Sequence, residues 1–268
     1  MKRFIIIAAS LLWGAALFAQ ELVIRIDDMG ALHSVNTASI DTYQNGIAKS
    51  VEVLAVGAWF PEAVKMLKEN PGLDVGIHLA ITSEWENVKW RPLTDCPTLV
   101  DENGYFFPMM GPNPAYPGQS VMENASKFDI KEIEKEFRAQ IEFALKNIPQ
   151  ITHISGHMMS TAYSPEVNAL VQKLSKEYNL PSVDRFDAFE QYDFEYVGYD
   201  GPKATAEEKI ASFIKMLDKL EKGKRYMFVD HPAYNDSEMQ TVMHVGYEDV
   251  AVDRQGVTDF LKNSEVNK

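Results

Sequence analysis

The chain has 268 residues, of which 46% are hydrophobic, 11% aromatic and 24% charged, a composition that excludes a disordered, collagen-like or disulfide-scaffolded protein. Its 26 Lys and Arg stand against 39 Asp and Glu, and the net charge of −13 makes nucleic acid an unsuitable partner. The single cysteine, Cys96, excludes an internal disulfide and has no catalytic partner beside it in sequence, so it reads as structural.

Residues 1–20 have the layout of a secretory signal peptide. Lys2 and Arg3 precede an apolar run over residues 4–18, and Ala16 and Ala19 supply small side chains ahead of a cut before Gln20 or Glu21. That run is shorter than the roughly 20 residues a bilayer span needs, and strand-like sequence follows at once, which disfavours a membrane anchor. An exported protein is expected, periplasmic or extracellular, without stable membrane association after cleavage.

Beyond the leader, short β-branched runs alternate with stretches of helical period, the pattern of an α/β protein with parallel strands. Strands are expected over 22–26, 51–56, 74–79, 152–154 and 226–229. Residues 85–124, with prolines at 92, 97, 108, 112, 114 and 117, read as an elaborated loop of the kind that forms a lid or a substrate wall. Trp85, Trp90, Tyr105, Phe106 and Phe107 within it are expected to anchor it to the core, with stacking on a substrate ring as the alternative.

Three helices follow from their apolar faces and start signals. Ile130, Ile133, Phe137, Ile141 and Leu145 form one stripe. Ser164 and Pro165 start a second, continued by Val167, Leu170, Val171 and Leu174. Thr205 and Glu208 have capping-box spacing ahead of Ile210, Phe213, Ile214, Leu217 and Leu220. Residues 21–268 show no internal repeat or composition break and suit one (β/α) barrel, a fold of roughly 250 residues.

The ionisable residues fall at strand ends. Asp27 and Asp28 follow the first strand, His78 ends the third, His157 comes just after 152–154, and Asp230 and His231 follow 226–229. In a parallel barrel those C-terminal ends converge on one face, so residues distant in sequence can share a pocket. Two imidazoles and a carboxylate there suit a divalent metal and leave a position for water. Strand alternation turns only one of Asp27 and Asp28 inward unless the chain bends into the Met29-Gly30 turn. His153 is expected to pack or to support the site from behind. Metal-assisted hydrolysis also needs a carboxylate base and an acid, and His231 is the natural acid.

Five segments, in order, resemble the motifs of the YdjC-like carbohydrate deacetylases, the group that includes chitooligosaccharide deacetylases. They are Asp27-Asp28-Met29-Gly30 with Val35-Asn36; Gly46-Ile47 through Ser50-Val51; Gly76-Ile77-His78-Leu79 with Thr82; Thr152-His153-Ile154 with His157; and His231-Pro232. The resemblance runs from about Ile24 to the Arg254 region. It implies a distorted (β/α) barrel of the TIM type that removes N-acetyl groups from amino-sugar-containing oligosaccharides with a divalent metal, zinc or magnesium. Asp28, His78 and His157 would be the metal ligands, Asp27 the base that activates water, and His231 the general acid.

The chain also departs from that family. Where the family usually has Asp-Ser-His-x-His-x-His, this sequence reads Ser155-Gly156-His157-Met158-Met159-Ser160-Thr161, keeping the first His and losing the Asp and the later two His. Ala233 stands where a Gly is common. A non-catalytic carbohydrate-binding protein on the same barrel is therefore an alternative. Hydrolysis of a phosphoester or peptide is a weaker one, since two-metal sites take more ligands. Arg91, Arg185 and Arg254 receive no role.

Overall fold

The computed structural model describes residues 21–183 and 194–267; the expected signal segment and Arg185 lie outside them. In chain order the elements are β1 (Glu21–Met29), α1 (His33–Gln44), β2 (Ser50–Val53), α2 (Phe60–Glu69), β3 (Asp74–Leu79), the single turn α3 (Val121–Asn124), α4 (Ile130–Asn147), β4 (Ile151–Gly156), α5 (Pro165–Tyr178), β5 (Phe194–Val197), α6 (Ala206–Leu217), β6 (Arg225–Asp230) and α7 (Val250–Leu261). Among the described residues the strands make one parallel sheet in the order β4-β3-β2-β1-β6-β5. It curls into a half-barrel clad in helices, the distorted (β/α) barrel expected. Residues 181–183 run beside β4, where Ile154 N donates to Pro181 O and Val183 N to Ile154 O, both by backbone hydrogen bonds. The Tyr196 hydroxyl of β5 donates to Val183 O at 2.8 Å, which links β5 to the segment beside β4.

Alternation along the strands sorts side chains into two layers. Ile24 and Ile26 of β1, Val51 and Val53 of β2 and Ile154 of β4 join the apolar core. Their neighbours Arg25, Asp27, Glu52, His153 and Ser155 point the other way and bond to one another inside the barrel. β1 to β4 are thus largely buried on both sides, apolar toward the helices and polar toward the barrel axis.

The helix signals act as expected. Asp129 caps α4, Ser164 accepts from Val167 N to start α5, and both halves of the Thr205–Glu208 capping box are formed. Phe213 of α6 packs against Phe228 of β6 and Phe260 of α7, with ring centroids 5.0 and 4.8 Å apart. The apolar stripes are narrower than their sequences suggest, because Leu145 and Ile214 stand exposed. β5 was not anticipated: it is a four-residue outer strand that is only half-buried, so it lacks a strong apolar run.

The elaborated loop is anchored rather than free. Trp85, Trp90, Leu99 and Phe106 are buried. Glu136 of α4 accepts from the backbone N–H groups of Leu93 and Thr94, each at 2.9 Å, and Trp90 Nε1 donates to Thr82 O at 2.6 Å. Cys96 is buried in this segment, and burial together with Glu136 pushes its thiol up to about 12, which suits a structural role. Among the described residues no helix is long and apolar enough to cross a membrane.

Candidate metal and catalytic site

The register of β1 decides where its two carboxylates go. Ile26 pairs with Val51 and Met29 with Val53, so three steps along β1 match two along β2. The extra residue makes a bulge, and Asp28 takes a φ of 77°, a left-handed conformation that costs a residue with a Cβ about 1–3 kcal/mol. Alternation is broken there, and Asp27 and Asp28 both face the barrel mouth. The bend that relaxes alternation falls at Asp28, leading into the Met29-Gly30 turn.

Asp28, His78 at the end of β3 and His157 just after β4 converge there, all buried, with one ligand atom from each lying within 4.8 Å of the others. His157 Nδ1 is 3.2 Å and His78 Nε2 3.8 Å from Asp28 Oδ1. The other carboxylate oxygen, Oδ2, accepts from Arg254 Nη2 at 2.9 Å. Oδ1 itself has no hydrogen-bond partner among the described residues. A buried carboxylate oxygen without a hydrogen bond, facing two imidazole nitrogens, is costly unless positive charge, from a cation or a proton, completes the set. The group fits a divalent ion, and its mixture of one oxygen and two nitrogen donors leaves a coordination position open.

Each imidazole is braced from behind. His157 Nε2 is 2.9 Å from Glu84 Oε2, which aims Nδ1 at Asp28. His78 Nδ1 is 2.7 Å from Ser155 Oγ, and the Ser155 hydroxyl donates to Glu52. Such partners set which ring nitrogen is presented to an ion. The Trp90 ring meets His157 edge-on with centroids 5.8 Å apart, so the anchored loop forms a wall of the site.

The electrostatics favour a cation. Burial works to raise the Asp28 pKa, but Arg254, His231 and His157 outweigh it and hold the group well below the usual carboxylate range. Burial and the neighbouring His157 charge push His78 down to about 3, leaving it neutral. Burial opposes a charge on His157, yet Glu84 and Asp28 overcome it and push that imidazole up to about 10. Without an ion, a proton supplies the positive charge that the site demands.

Asp27 lies alongside, gripped by Arg25 through Nε at 2.9 Å and Nη2 at 2.8 Å, with its Oδ2 3.7 Å from His78 Nε2. His231 has 39% of its side chain exposed, whereas the Asp27, Asp28, His78 and His157 side chains are buried. Its pKa is raised, with burial opposed by the Asp28 and Asp230 carboxylates. Asp230 is held by the His231 backbone N–H at 2.9 Å and the Tyr199 hydroxyl at 2.6 Å.

Three participants were not assigned from sequence: Glu84, Glu52 and Arg254. Arg254 did carry a signal. It shares the buried face of α7 with Val250, Ala251, Val257 and Leu261, an unusual place for a cation without a partner. In the structure its guanidinium also lies over the Trp85 ring, 5.2 Å from the centroid.

A carbohydrate deacetylase of Geobacillus stearothermophilus is 30% identical over 220 residues, which cover 80% of each chain. A carbohydrate deacetylase of Thermoanaerobacter pseudethanolicus is 27% identical over 264 residues, covering 91% of this chain and 95% of that one. An Enterococcus faecalis V583 protein provisionally named a cellobiose-phosphate cleavage protein has a crystal structure that superposes with a TM-score of 0.73 at 24% identity, over 92% of both chains, and so shares the fold. The profile of the YdjC-like proteins matches residues 21–268, taking in every strand and every site residue described above, and the chain therefore belongs to the YdjC-like protein family.

Proposed function

We propose that the protein is a metal-dependent hydrolase that removes N-acetyl groups from amino-sugar-containing oligosaccharides. One observation carries this reading: the β1 bulge turns Asp28 to the same side as Asp27, so a second carboxylate, Asp27, lies beside the buried group of Asp28, His78 and His157. The relatives named carbohydrate deacetylase supply the substrate class. A divalent cation, zinc or magnesium, held by those three residues would acidify a coordinated water and polarise the amide carbonyl.

This chain's own groups supply the proton transfers. Asp27 takes the proton from the attacking water as general base, and the Arg25 fork holds it in one orientation. His231, whose pKa is raised by Asp28 and Asp230 against the effect of burial and which is open to solvent at the mouth, gives a proton to the departing sugar amine. Water adds to the amide carbon, the C–N bond breaks, and acetate and the free amine leave. The export signal in residues 1–20 belongs to the same reading, with a periplasmic or extracellular substrate.

A non-catalytic sugar-binding barrel is the competing reading, motivated by the altered segment from Ser155 to Thr161. His78 and His157 both remain braced despite those changes, which weakens its motive. Purified protein supplied with zinc or magnesium and offered acetylated sugars, phosphoesters and peptides separates the readings. Acetate released from the sugars, and lost in Asp27→Asn, supports the proposal; sugar binding without cation binding favours the binding module.

A further inference from the structure

Glu52 is fully buried inside the barrel, and none of the proton transfers proposed above uses it. Strand register explains its surroundings. β2 and β3 pair Glu52 with Gly76, and β3 and β4 pair Gly76 with His153, so the three residues stand at one level across the sheet. A Cβ on Gly76 would collide with Glu52 Oε2 and His153 Nε2. Glycine leaves that space open, and His153 Nε2 donates across it to Glu52 Oε1 at 2.6 Å.

At the next inward level, β3 and β4 pair His78 with Ser155. Glu52 Oε2 accepts from the Ser155 hydroxyl, whose oxygen lies 2.7 Å from His78 Nδ1. On its other side, Glu52 Oε1 is 3.8 Å from Nε of Arg25, the residue that grips Asp27.

Counting protons gives these contacts a direction. A carboxylate only accepts, so the one hydroxyl proton of Ser155 goes to Glu52. The Ser155 oxygen is then left to accept from His78, and Nδ1 must carry the ring proton. A neutral imidazole has one such proton, so Nε2 keeps its lone pair, 3.8 Å from Asp28 Oδ1. We infer that Glu52 is a positioning residue: through Ser155 it sets the His78 tautomer that can ligate a cation, and through Arg25 it braces Asp27. The inference rests on the metal-site half of the proposed function and not on the sugar.

Glu52→Gln preserves the shape and reverses the proton order. The amide oxygen still accepts from His153, but the NH2 group donates to Ser155, whose hydroxyl proton then turns to His78 Nδ1 and moves the ring proton to Nε2. NMR of the metal-free protein with nitrogen-labelled histidine should show His78 unprotonated at Nε2 in the wild type and protonated there in Glu52→Gln. Zinc titration by calorimetry should show affinity lowered ~10- to 100-fold.

Ser155→Ala leaves Glu52 with His153 and Arg25, removes the Nδ1 partner, and should weaken zinc binding by a similar factor. It also answers the question if Glu52→Gln does not fold. Zinc affinity within about twofold of wild type in either folded variant, or a wild-type His78 protonated at Nε2, overturns the assignment. Neither readout measures turnover. A wild type with the expected tautomer and zinc binding but no acetate release would sink the deacetylase reading and leave this one standing.

Discussion

Glu84 Oε2 lies 2.9 Å from one nitrogen of the His157 ring, and the other nitrogen of that ring lies 3.2 Å from Asp28 Oδ1. The carboxylate therefore selects the nitrogen that faces the site and raises its basicity. Glu84 follows β3 at the head of the long irregular segment, so that segment is connected directly to a candidate ligand. Glu84→Gln should lower zinc affinity ~10- to 100-fold in a calorimetric titration, and an unchanged affinity would remove Glu84 from the site.

The raised pKa of His157 gives metal binding a defined pH dependence. In the metal-free protein the folded-state value is about 10, above the ordinary 6.5. Its contribution to stability is fully present below the ordinary value and is lost as pH rises through about 10. A cation must displace the same proton. Zinc affinity should therefore climb about tenfold per pH unit from about pH 6 to about pH 9, with one proton released per ion. A flat profile would contradict this arrangement.

Arg254 holds the second oxygen of Asp28 at 2.9 Å, with both side chains buried. Arg254→Met should destabilise the metal-free protein by about 3 kcal/mol, because it leaves a buried carboxylate without its guanidinium. Saturating zinc should recover part of that loss by supplying positive charge to the same group. Urea denaturation with and without zinc measures both, and a variant as stable as wild type in the absence of metal would contradict the pairing.

Asp27 is placed beside the candidate ligand group but outside it. Asp27→Asn should cut acetate release by about 10²- to 10⁴-fold while zinc affinity stays near the wild-type value. Joint loss of metal binding and activity would instead make Asp27 a ligand.

Much of this site was legible because parallel strands of a barrel deliver their C-terminal ends to one mouth. One of Asp27 and Asp28, with His78, His157 and His231, could be brought to a common mouth from that rule. The bulge could not, since nothing in Arg25-Ile26-Asp27-Asp28 marks an extra residue; it exists only in the pairing of β1 with β2. Glu52 shows the same limit. Between Val51 and Val53 it reads as one polar step of an alternating strand, and only the register with Gly76 and His153 shows that it faces the barrel interior. Glu84 is hidden for a related reason, because its burial depends on the path of a loop with no periodic pattern. The loss of Asp at position 155 looked like damage in sequence, yet Ser155 occupies the space between Glu52 and His78.

Acetate release tests the central claim most directly. Protein loaded with zinc or magnesium should liberate acetate from N-acetylated oligosaccharides, lose that activity when the metal is stripped by a chelator, and regain it on reconstitution. Release that persists unchanged in the stripped protein, or no release from any acetylated sugar by the fully loaded wild type, would contradict it.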